Sequence, residues 1–149
     1  MKNNENAISS QIVLKNVNRS DHKFLYELLG ERKPIENISH KKMPMYKKHV
    51  KFVNSRPYSR WYVVNYRNQK VGAIYLTKKN EIGIHIKKEY QGHSLGKYAM
   101  NLLIKKNPKK RYLANINPKN KKSIKFFTKQ GFRLIQYTYE MIPDDSRHE

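Results

Sequence analysis

Apolar and polar residues alternate along much of this chain, with the period of two that is typical of half-buried strands. The predicted strands are 11–17, 60–66, 70–77, 81–87, 111–116 and 132–142. The short turn Arg67-Asn68-Gln69 joins the second and third of these into a hairpin. Ile82, Ile84 and Ile86 give the fourth the clearest alternation.

Apolar residues at helical spacing predict four helices between the strands. Ser20 and Asp21 supply a capping signal for the first, and Gly30 ends it. Pro44 opens the second, the third follows the loop 92–96, and the fourth covers 123–130. Ile124, Phe127 and Phe126 are the apolar residues expected inside the fourth helix, and Gly131 follows it as a C-terminal glycine.

The predicted order is β-α-α-β-β-β-α-β-α-β, an α/β fold with a mixed sheet and helices on both faces. A chain of 149 residues suits one domain, expected over 11–142, with flexible tails at 1–10 and 143–149.

Composition narrows the function classes. The absence of cysteine excludes disulfides, thiolate zinc sites and cysteine nucleophiles, and we expect no metal. The first ten residues are polar, unlike a signal peptide, and no apolar run approaches the roughly 20 residues of a membrane helix. We therefore expect a cytoplasmic protein with no membrane partner.

The formal net charge of +21 attracts anions such as CoA, nucleotide-sugars and nucleic acid. Abundant Lys, Asn, Ile and Tyr also fit a compositional bias that has no functional meaning. The sequence contains no helix-turn-helix, zinc-finger or RNP-type motif, so a nucleic-acid-binding module stays an alternative of a different class.

The segment Gln91-Gly92-His93-Ser94-Leu95-Gly96-Lys97 joins a predicted strand to a predicted helix. Glycines allow backbone N–H groups to approach a phosphate, and a helix N-terminus adds partial positive charge. The spacing matches neither the P-loop nor the dinucleotide-binding fingerprint. A plain strand-to-helix turn would explain the two glycines equally well when they are taken alone.

Two blocks together suggest a family. Residues 90–103 (YQGHSLGKYAMNLL) resemble the acetyl-CoA motif of the GNAT superfamily, in which a Gln or Arg and spaced glycines open a helix. Residues 117–132 (NPKNKKSIKFFTKQGF) resemble that family's later motif, and 70–76 (KVGAIYL) its third strand. Ser94 stands where the family usually has its middle glycine, so it needs a compatible backbone angle.

The resemblance implies an acetyl-CoA-dependent N-acetyltransferase with a splayed pair of parallel strands, and pantetheine in the gap between them. The residues that it places around acetyl-CoA are Ile84, His85, Ile86, Gln91, Gly92, His93, Ser94, Leu95, Gly96, Lys97, Asn117, Asn120, Ser123, Phe126 and Phe127.

The catalytic candidates are Glu81, His85 and Tyr90. Glu81 resembles the Glu of a Glu-Ile-Gly segment in several GNAT branches and is expected to act as a base or to bind the amine; a solvated carboxylate is the alternative. His85 has a suitable ordinary pKa, or is simply an exposed residue of the sheet. Many family members carry a Tyr at Phe127 that protonates the thiolate, so Tyr90, Tyr137, Tyr139, Ser123 or water would have to do so here.

The acceptor is expected to be a small amine that lies against the first two helices. The candidate residues are His40, Tyr46, His49 and Trp61. Some of the residues in this region could instead belong to the hydrophobic core. The pattern resembles enzymes that acetylate nucleotide-linked amino sugars, which we favour, and those that acetylate ribosomal-protein N-termini. A non-catalytic CoA-binding module and a homodimer are left open.

Overall fold

The computed structural model describes residues 8–33 and 42–144. Its strands are β1 (Ile12–Asn16), β2 (Arg60–Tyr66), β3 (Gln69–Leu76) and β4 (Ile82–Ile86). Its helices are α1 (His22–Gly30), α2 (Tyr46–Asn54), α3 (Leu95–Lys106) and α4 (Lys121–Lys129). Short 3-10 turns cover Arg19–Asp21 and Lys88–Tyr90.

The four strands form one antiparallel sheet in the order β1-β2-β3-β4. Arg67 and Asn68 turn the β2–β3 hairpin with φ of 51° and 63°. Positive φ at both central residues is the requirement of a tight hairpin turn that matches the twist of the strands. The predicted hairpin is therefore confirmed.

Helices cover both faces of the sheet, as expected. α3 packs on one face through Leu95, Ala99, Met100 and Leu103, in the same cluster as Ile74. On the other face, Leu25 and Leu28 of α1 and Val53 of α2 pack against Ala73. The isoleucines of β4 point toward α3, so Gly83 and His85 point toward α1 and α2.

The start of α1 agrees with the prediction in position, because Asp21 stands at the N-cap, but its side chain makes no capping hydrogen bond to the helix. Asn18 caps the 3-10 turn that precedes α1, and it accepts a hydrogen bond from the N–H of Ser20 at 2.8 Å. Asp21 is buried, where it accepts from the N–H of Asn18 at 2.9 Å and pairs with Lys70 at 2.7 Å. Asp21 thereby ties the start of α1 to the sheet.

Two predicted strands do not form as predicted. In 111–116, the only sheet contact among the described residues is one parallel bridge between Leu113 and Glu81. Residues 132–142 run outside any sheet of the described chain. Alternation reports a strand-like side-chain pattern, but a ladder also needs a partner edge at hydrogen-bonding distance.

Two smaller expectations also change. Residues 8–10 form a helical turn and Ile8 packs against the core, so ordered structure begins before residue 11. Ile124 is 40% exposed, and Phe127 is the buried residue of α4. Among residues 8–33 and 42–144, no helix has the length and apolarity to cross a bilayer.

Candidate active site

A gap opens between β4 and the 111–116 segment. At its closed end Ile82 donates to the carbonyl of Leu113 at 2.7 Å, and Leu113 donates to the carbonyl of Asn80 at 2.9 Å. Beyond this point no backbone hydrogen bond joins the two segments within the described chain. The segments therefore separate toward the end of β4 that leads into the loop 91–94.

The backbone of Ile84 faces this gap. Thr77 donates to the carbonyl of Glu81 at 2.9 Å and Lys87 donates to that of Val71 at 2.8 Å, so odd-numbered residues of β4 bond to β3. Backbone groups along a strand alternate in direction. The N–H and C=O of Ile84 consequently point away from β3 and into the gap.

The mouth of the gap holds the N-terminus of α3. Gly92 and Ser94 adopt φ of 85° and 63°, so Ser94 takes the left-handed backbone angle that its position requires. Ser94 makes no capping bond through its side chain. The N–H groups of the first turn, from Leu95 to Lys97, are thus available to an anion at the positive end of the helix dipole.

Gln91 joins the loop to its surroundings. Its Nε2 donates to the carbonyl of Ile86 at 2.8 Å, and its Oε1 accepts from Nζ of Lys122 at 2.8 Å. The side chain is therefore used to hold β4, the loop and α4 together. His93 and Lys97 are exposed beside it.

The N-terminus of α4 also lies at this mouth, but it is capped. Asn120 is buried and accepts from the N–H of Ser123 at 3.1 Å, while Asn117 accepts from the N–H of Lys119 at 2.9 Å. These two asparagines shape the turn. The lysines that follow, Lys121 and Lys122, add positive charge to the mouth.

Glu81 stands at the closed end of the gap. Its Oε1 accepts from Oγ1 of Thr77 at 3.0 Å, and its Oε2 accepts from Nδ2 of Asn115. The carboxylate thus bridges β4 and the 111–116 segment. Two hydrogen bonds and a half-buried setting fix its position, which distinguishes it from a freely solvated carboxylate.

His85 and Tyr90 have different surroundings. Nε2 of His85 lies 3.7 Å from Oε2 of Glu31, on the face covered by α1 and α2, and its side chain is only 15% exposed. The hydroxyl of Tyr90 donates to Oε1 of Gln69 at 2.6 Å, beyond the C-terminal end of β4. The three catalytic candidates therefore occupy three separate positions along the strand.

The comparisons with known proteins bear on this arrangement. The family model described as "Acetyltransferase (GNAT) family" matches residues 22–132. The chain belongs to the GNAT acetyltransferase family. Acetyl-CoA-dependent acetyl transfer is the chemistry that this membership indicates. No curated protein matches the chain.

Solved structures share the GNAT fold. A domain from Methanocaldococcus jannaschii is 23% identical over 87% of this chain and 92% of its own, with a TM-score of 0.74. A Vibrio cholerae spermidine N-acetyltransferase in complex with CoA and spermine is 19% identical over 82% and 80%, at 0.68. A ribosomal L7/L12 alpha-N-protein acetyltransferase in complex with coenzyme A is 16% identical over 87% and 84%, at 0.69.

The two GNAT-motif phenylalanines have distinct places. Phe127 is buried and packs edge-on against Phe126 and Phe132, with ring centroids 5.2 Å apart in each pair. Phe126 is half-buried, and a Cβ added to Gly96 would lie 3.3 Å from its ring. Gly96 therefore permits the close approach of α3 and α4, and Phe126 is the ring nearer the loop.

Of the three predicted acceptor residues that the structure describes, two share a contact. Tyr46 and His49 both contact Tyr26, with ring centroids 5.2 and 5.3 Å away. Burial, and secondarily the charge of His22, lowers the pKa of His49. Trp61 instead contacts Tyr58 at 4.8 Å. His40 lies outside the described residues.

Tyr75, which the sequence did not single out, forms an aromatic pair beside the gap. Tyr58 and Tyr75 stack with centroids 3.8 Å apart and planes 3° apart. The Tyr75 ring occupies the space where Gly83 of β4 would carry a Cβ, so it lies directly over the strand. Burial and then the neighbouring Tyr75 raise the pKa of Tyr58, while burial raises that of Tyr75 despite the opposing charge of Arg32. Both phenols are therefore neutral near pH 7.

A groove continues from this pair. Its volume is about 670 Å³, and Tyr58 lies on its wall together with Trp61. Three basic side chains, Arg56, Arg60 and Lys106, line the same groove. Arg56, Tyr58 and Arg60 alternate along the segment between α2 and β2, and all three line the groove. This alternation is the sequence signal that could have indicated it.

Proposed function

We propose that this GNAT protein moves an acetyl group from acetyl-CoA to a primary amine by direct attack in a ternary complex. The observation that carries the proposal is the gap. It is open at the uncapped start of α3, has the backbone of Ile84 turned into it, and ends at the anchored carboxylate of Glu81.

We expect different residues around the gap to hold the pyrophosphate and the pantetheine of acetyl-CoA. The N–H groups of Leu95, Gly96 and Lys97 would hold the pyrophosphate, with Gly92 allowing close approach because no atom lies within 4 Å of where a Cβ would stand. The carbonyl of Ile84 would accept a hydrogen bond from a pantetheine amide N–H. When bound, acetyl-CoA supplies an activated thioester.

Glu81 and Ile84 have different roles in the proposed reaction. The N–H of Ile84 is oriented to donate to the oxygen that gains negative charge during attack. Glu81 binds the amine or accepts its proton, with Thr77 and Asn115 fixing the carboxylate. The Tyr90 hydroxyl donates its proton in a hydrogen bond to Gln69, so we do not assign it as the acid for the sulfur. Because a thiolate is a good leaving group, water suffices to protonate it.

A nucleotide-linked amino sugar is our first candidate acceptor. The groove beside Tyr58 offers two arginines and a lysine for a diphosphate, and aromatic rings for a base or sugar. Tyr58 stacks on Tyr75, and Tyr75 lies over Gly83. A ligand in the groove would therefore extend its amine toward Glu81.

A cationic amine is the second candidate, and a different observation favours it. Glu31 and Glu81 belong to the eleven acidic residues of a chain with 32 basic ones. Oε2 of Glu31 lies 3.7 Å from Nε2 of His85 in β4, and Glu81 directly precedes that strand. Their local negative charge suits an amine such as spermine, which a structural neighbour binds. The ribosomal-protein N-terminus has support only from the neighbour of that type.

A thiol-release assay with acetyl-CoA and three acceptor sets tests the proposal: amino-sugar nucleotides, polyamines and peptides with free N-termini. We expect thiol release above the hydrolysis background with one set. Replacing Arg56 and Arg60 by Ala should raise KM for an amino-sugar nucleotide at least tenfold and leave that for a polyamine nearly unchanged. No release with any primary amine would contradict an acetyltransferase.

Binding measurements separate the alternatives of another class. Duplex DNA binding that weakens steeply between two salt concentrations, with no affinity for acetyl-CoA, would favour a nucleic-acid-binding module. Acetyl-CoA binding without turnover would favour a non-catalytic CoA-binding module.

A further inference from the structure

A strongly basic surface lies at the end of the sheet opposite the loop 91–94. Arg60 pairs with Leu76, and Leu76 pairs with Ile82 at the start of β4, whereas the loop follows the other end of β4. α3 runs from the loop to Lys106, and its twelve residues cover about 18 Å. Three cations of this surface line the groove, and three belong to the turn after α3. We call these six residues the basic end: Arg56, Arg60, Lys106, Lys109, Lys110 and Arg111.

Hydrogen bonds fix the turn after α3 beside the groove. Asn107 lines the groove, and its Nδ2 donates to the hydroxyl of Tyr62 at 3.1 Å. The hydroxyl of Tyr112 donates to the carbonyl of Asn107 at 2.6 Å and accepts from the N–H of Lys109 at 2.9 Å. The side chains of the three cations in the turn take no part in these bonds and are exposed. The turn therefore holds its cations next to those of the groove.

The basic end has no acidic neighbours in the sequence. Residues 37–80 contain eleven lysines and arginines, residues 90–139 contain twelve, and neither range contains an aspartate or glutamate. Within the described chain, none of the six cations forms an ion pair with a carboxylate. Glu81 precedes β4 at this end of the sheet, but both of its oxygens are already hydrogen-bonded. The positive potential of the basic end is thus available to an anion from solution.

Aromatic side chains lie beside these cations. Tyr58 and Trp61 line the groove, and Phe52 of α2 contacts both of them edge-on, with ring centroids 5.9 and 6.0 Å away. Phe52 is 44% exposed, so much of its ring faces solvent. Cations that hold a phosphate backbone, together with aromatic rings on which bases stack, are the features that bind single-stranded nucleic acid without reading its sequence.

The extent of the basic end favours a polymer over a single nucleotide. The volume of the groove, about 670 Å³, is in the range of a pocket for one small ligand, roughly 300–1,000 Å³. A nucleotide-linked sugar would use the three cations of the groove and leave those of the turn without a phosphate. A strand that carries one phosphate for each nucleotide can contact both. A duplex has its bases stacked on each other, so it cannot offer them to Phe52.

We propose that the basic end binds single-stranded nucleic acid, with phosphates on the six cations and bases against Phe52 and Trp61. The strand shares the groove with the nucleotide-linked acceptor of the proposed function, but its binding does not depend on acetyl transfer. Acetyl-CoA at the loop 91–97 leaves the basic end free, so the chain can hold both ligands at once.

Fluorescence anisotropy with an unstructured oligouridine of about 12 nucleotides tests the phosphate contacts. Six contacts predict a slope of about −4 for the logarithm of the association constant against that of salt concentration, which is about 300-fold weaker binding at 200 mM than at 50 mM salt. Lys109→Ala combined with Lys110→Ala should change the slope to about −3 and weaken binding about tenfold or more near 0.1 M salt.

Lys47→Ala combined with Lys48→Ala is the matched control. These are also two adjacent exposed lysines, but they lie at the start of α2, and the affinity for oligouridine should stay nearly unchanged. Equal losses for the two pairs of substitutions would overturn the proposal, because binding would then follow net charge and not the basic end. The absence of salt-sensitive oligouridine binding would also overturn it.

Phe52→Ala tests the contact with bases. It should weaken oligouridine binding about fivefold or more through lost stacking, with an unchanged salt slope because no charge is removed. Its exposed ring can be removed with the fold kept, as circular dichroism checks. Polyphosphate of equal charge should bind more weakly than oligouridine and be insensitive to Phe52→Ala. Equal affinity for the two polymers, or tighter binding of a duplex, would overturn the proposal.

Acetyl-CoA binding is measured on the same variants. The substitutions at Lys109 and Lys110 should leave the acetyl-CoA affinity unchanged, because the length of α3 separates them from the loop 91–94. Oligouridine binding without acetyl-CoA binding would contradict the proposed function and leave this proposal standing, and the reverse result would do the opposite.

Discussion

Similar apolar alternation occurs in strands β1 to β4 and in the segments 111–116 and 133–142. Only the four strands form a continuous hydrogen-bonded sheet. The four strands pair along their lengths and bury Val64, Val71 and Ile74 almost completely. The 111–116 segment joins the sheet at one bridge, and residues 133–142 make no backbone hydrogen bond within the described chain.

The paired strands and the open edges of the molecule have different roles, the first in stability and the second in the proposed binding. Strands β1 to β4, which we call the paired half, have most of their backbone groups hydrogen-bonded within the sheet and their apolar residues covered. We therefore expect them to contribute most of the free energy of folding. Backbone groups stay open at the outer edge of β4, where Ile84 faces the gap, and in the first turn of α3. These open groups are the ones that our proposed function uses for acetyl-CoA.

The largest effect that we predict tests the paired half. Ile74→Ala removes a side chain with 0% exposure and should lower the free energy of unfolding by about 2–5 kcal/mol. Ile124→Ala, the same change at a 40% exposed position, should stay within about 0.5 kcal/mol. Urea unfolding of both variants measures this, and equal losses would mean that the paired half does not dominate stability.

The next largest effect tests the closed end of the gap. Glu81→Gln keeps the size of the side chain but removes the charge, and should lower turnover by about 100-fold if Glu81 is a base. Its affinity for acetyl-CoA should change little. Glu27→Gln, at an exposed position on α1, is the matched control. Normal turnover of Glu81→Gln across the pH range would remove Glu81 from the mechanism.

Much of the fold can be predicted because the paired half is regular. The predicted bounds of β2 to β4 agree with the structure within about a residue, since alternation and a short turn are local signals. The predicted strand 132–142 does not form, for a physical reason. Its alternation indicates a strand, but whether a partner edge exists depends on chain packing that no local pattern records.

The site, like the fold, has parts that local sequence signals predict and parts that depend on non-local packing. The loop 91–97 can be predicted because two glycines, a strand and a helix follow one another in the chain. Its placement beside α4 is non-local, and so is the stack of Tyr58 on Tyr75. Tyr46, His49 and Trp61 look alike in sequence because aromatic residues serve both cores and binding sites.

A smaller effect concerns pH. Burial, followed by the charge of His22, lowers the pKa of His49 below its ordinary 6.5 in the folded chain. The unfolded chain therefore binds more protons, and stability is lost as the pH falls below about 6.5 toward the folded pKa, by at most about 1.4 kcal/mol per pH unit. His49→Gln should flatten this dependence in thermal unfolding between pH 7.5 and 5.5. An unchanged slope would show that His49 does not cause it.

The most direct test of the central claim, that acetyl-CoA lies in the gap, uses two glycines. Gly92 and Gly131 both have positive φ, of 85° and 98°, and both have open space where a Cβ would stand. Gly92→Asp and Gly131→Asp thus impose similar backbone strain and the same charge, at the phosphate loop and at the far end of α4. In calorimetric titration, Gly92→Asp should weaken acetyl-CoA binding by about tenfold or more, roughly 1.4 kcal/mol, and Gly131→Asp should not. Equal affinities for the two folded variants would contradict the assignment.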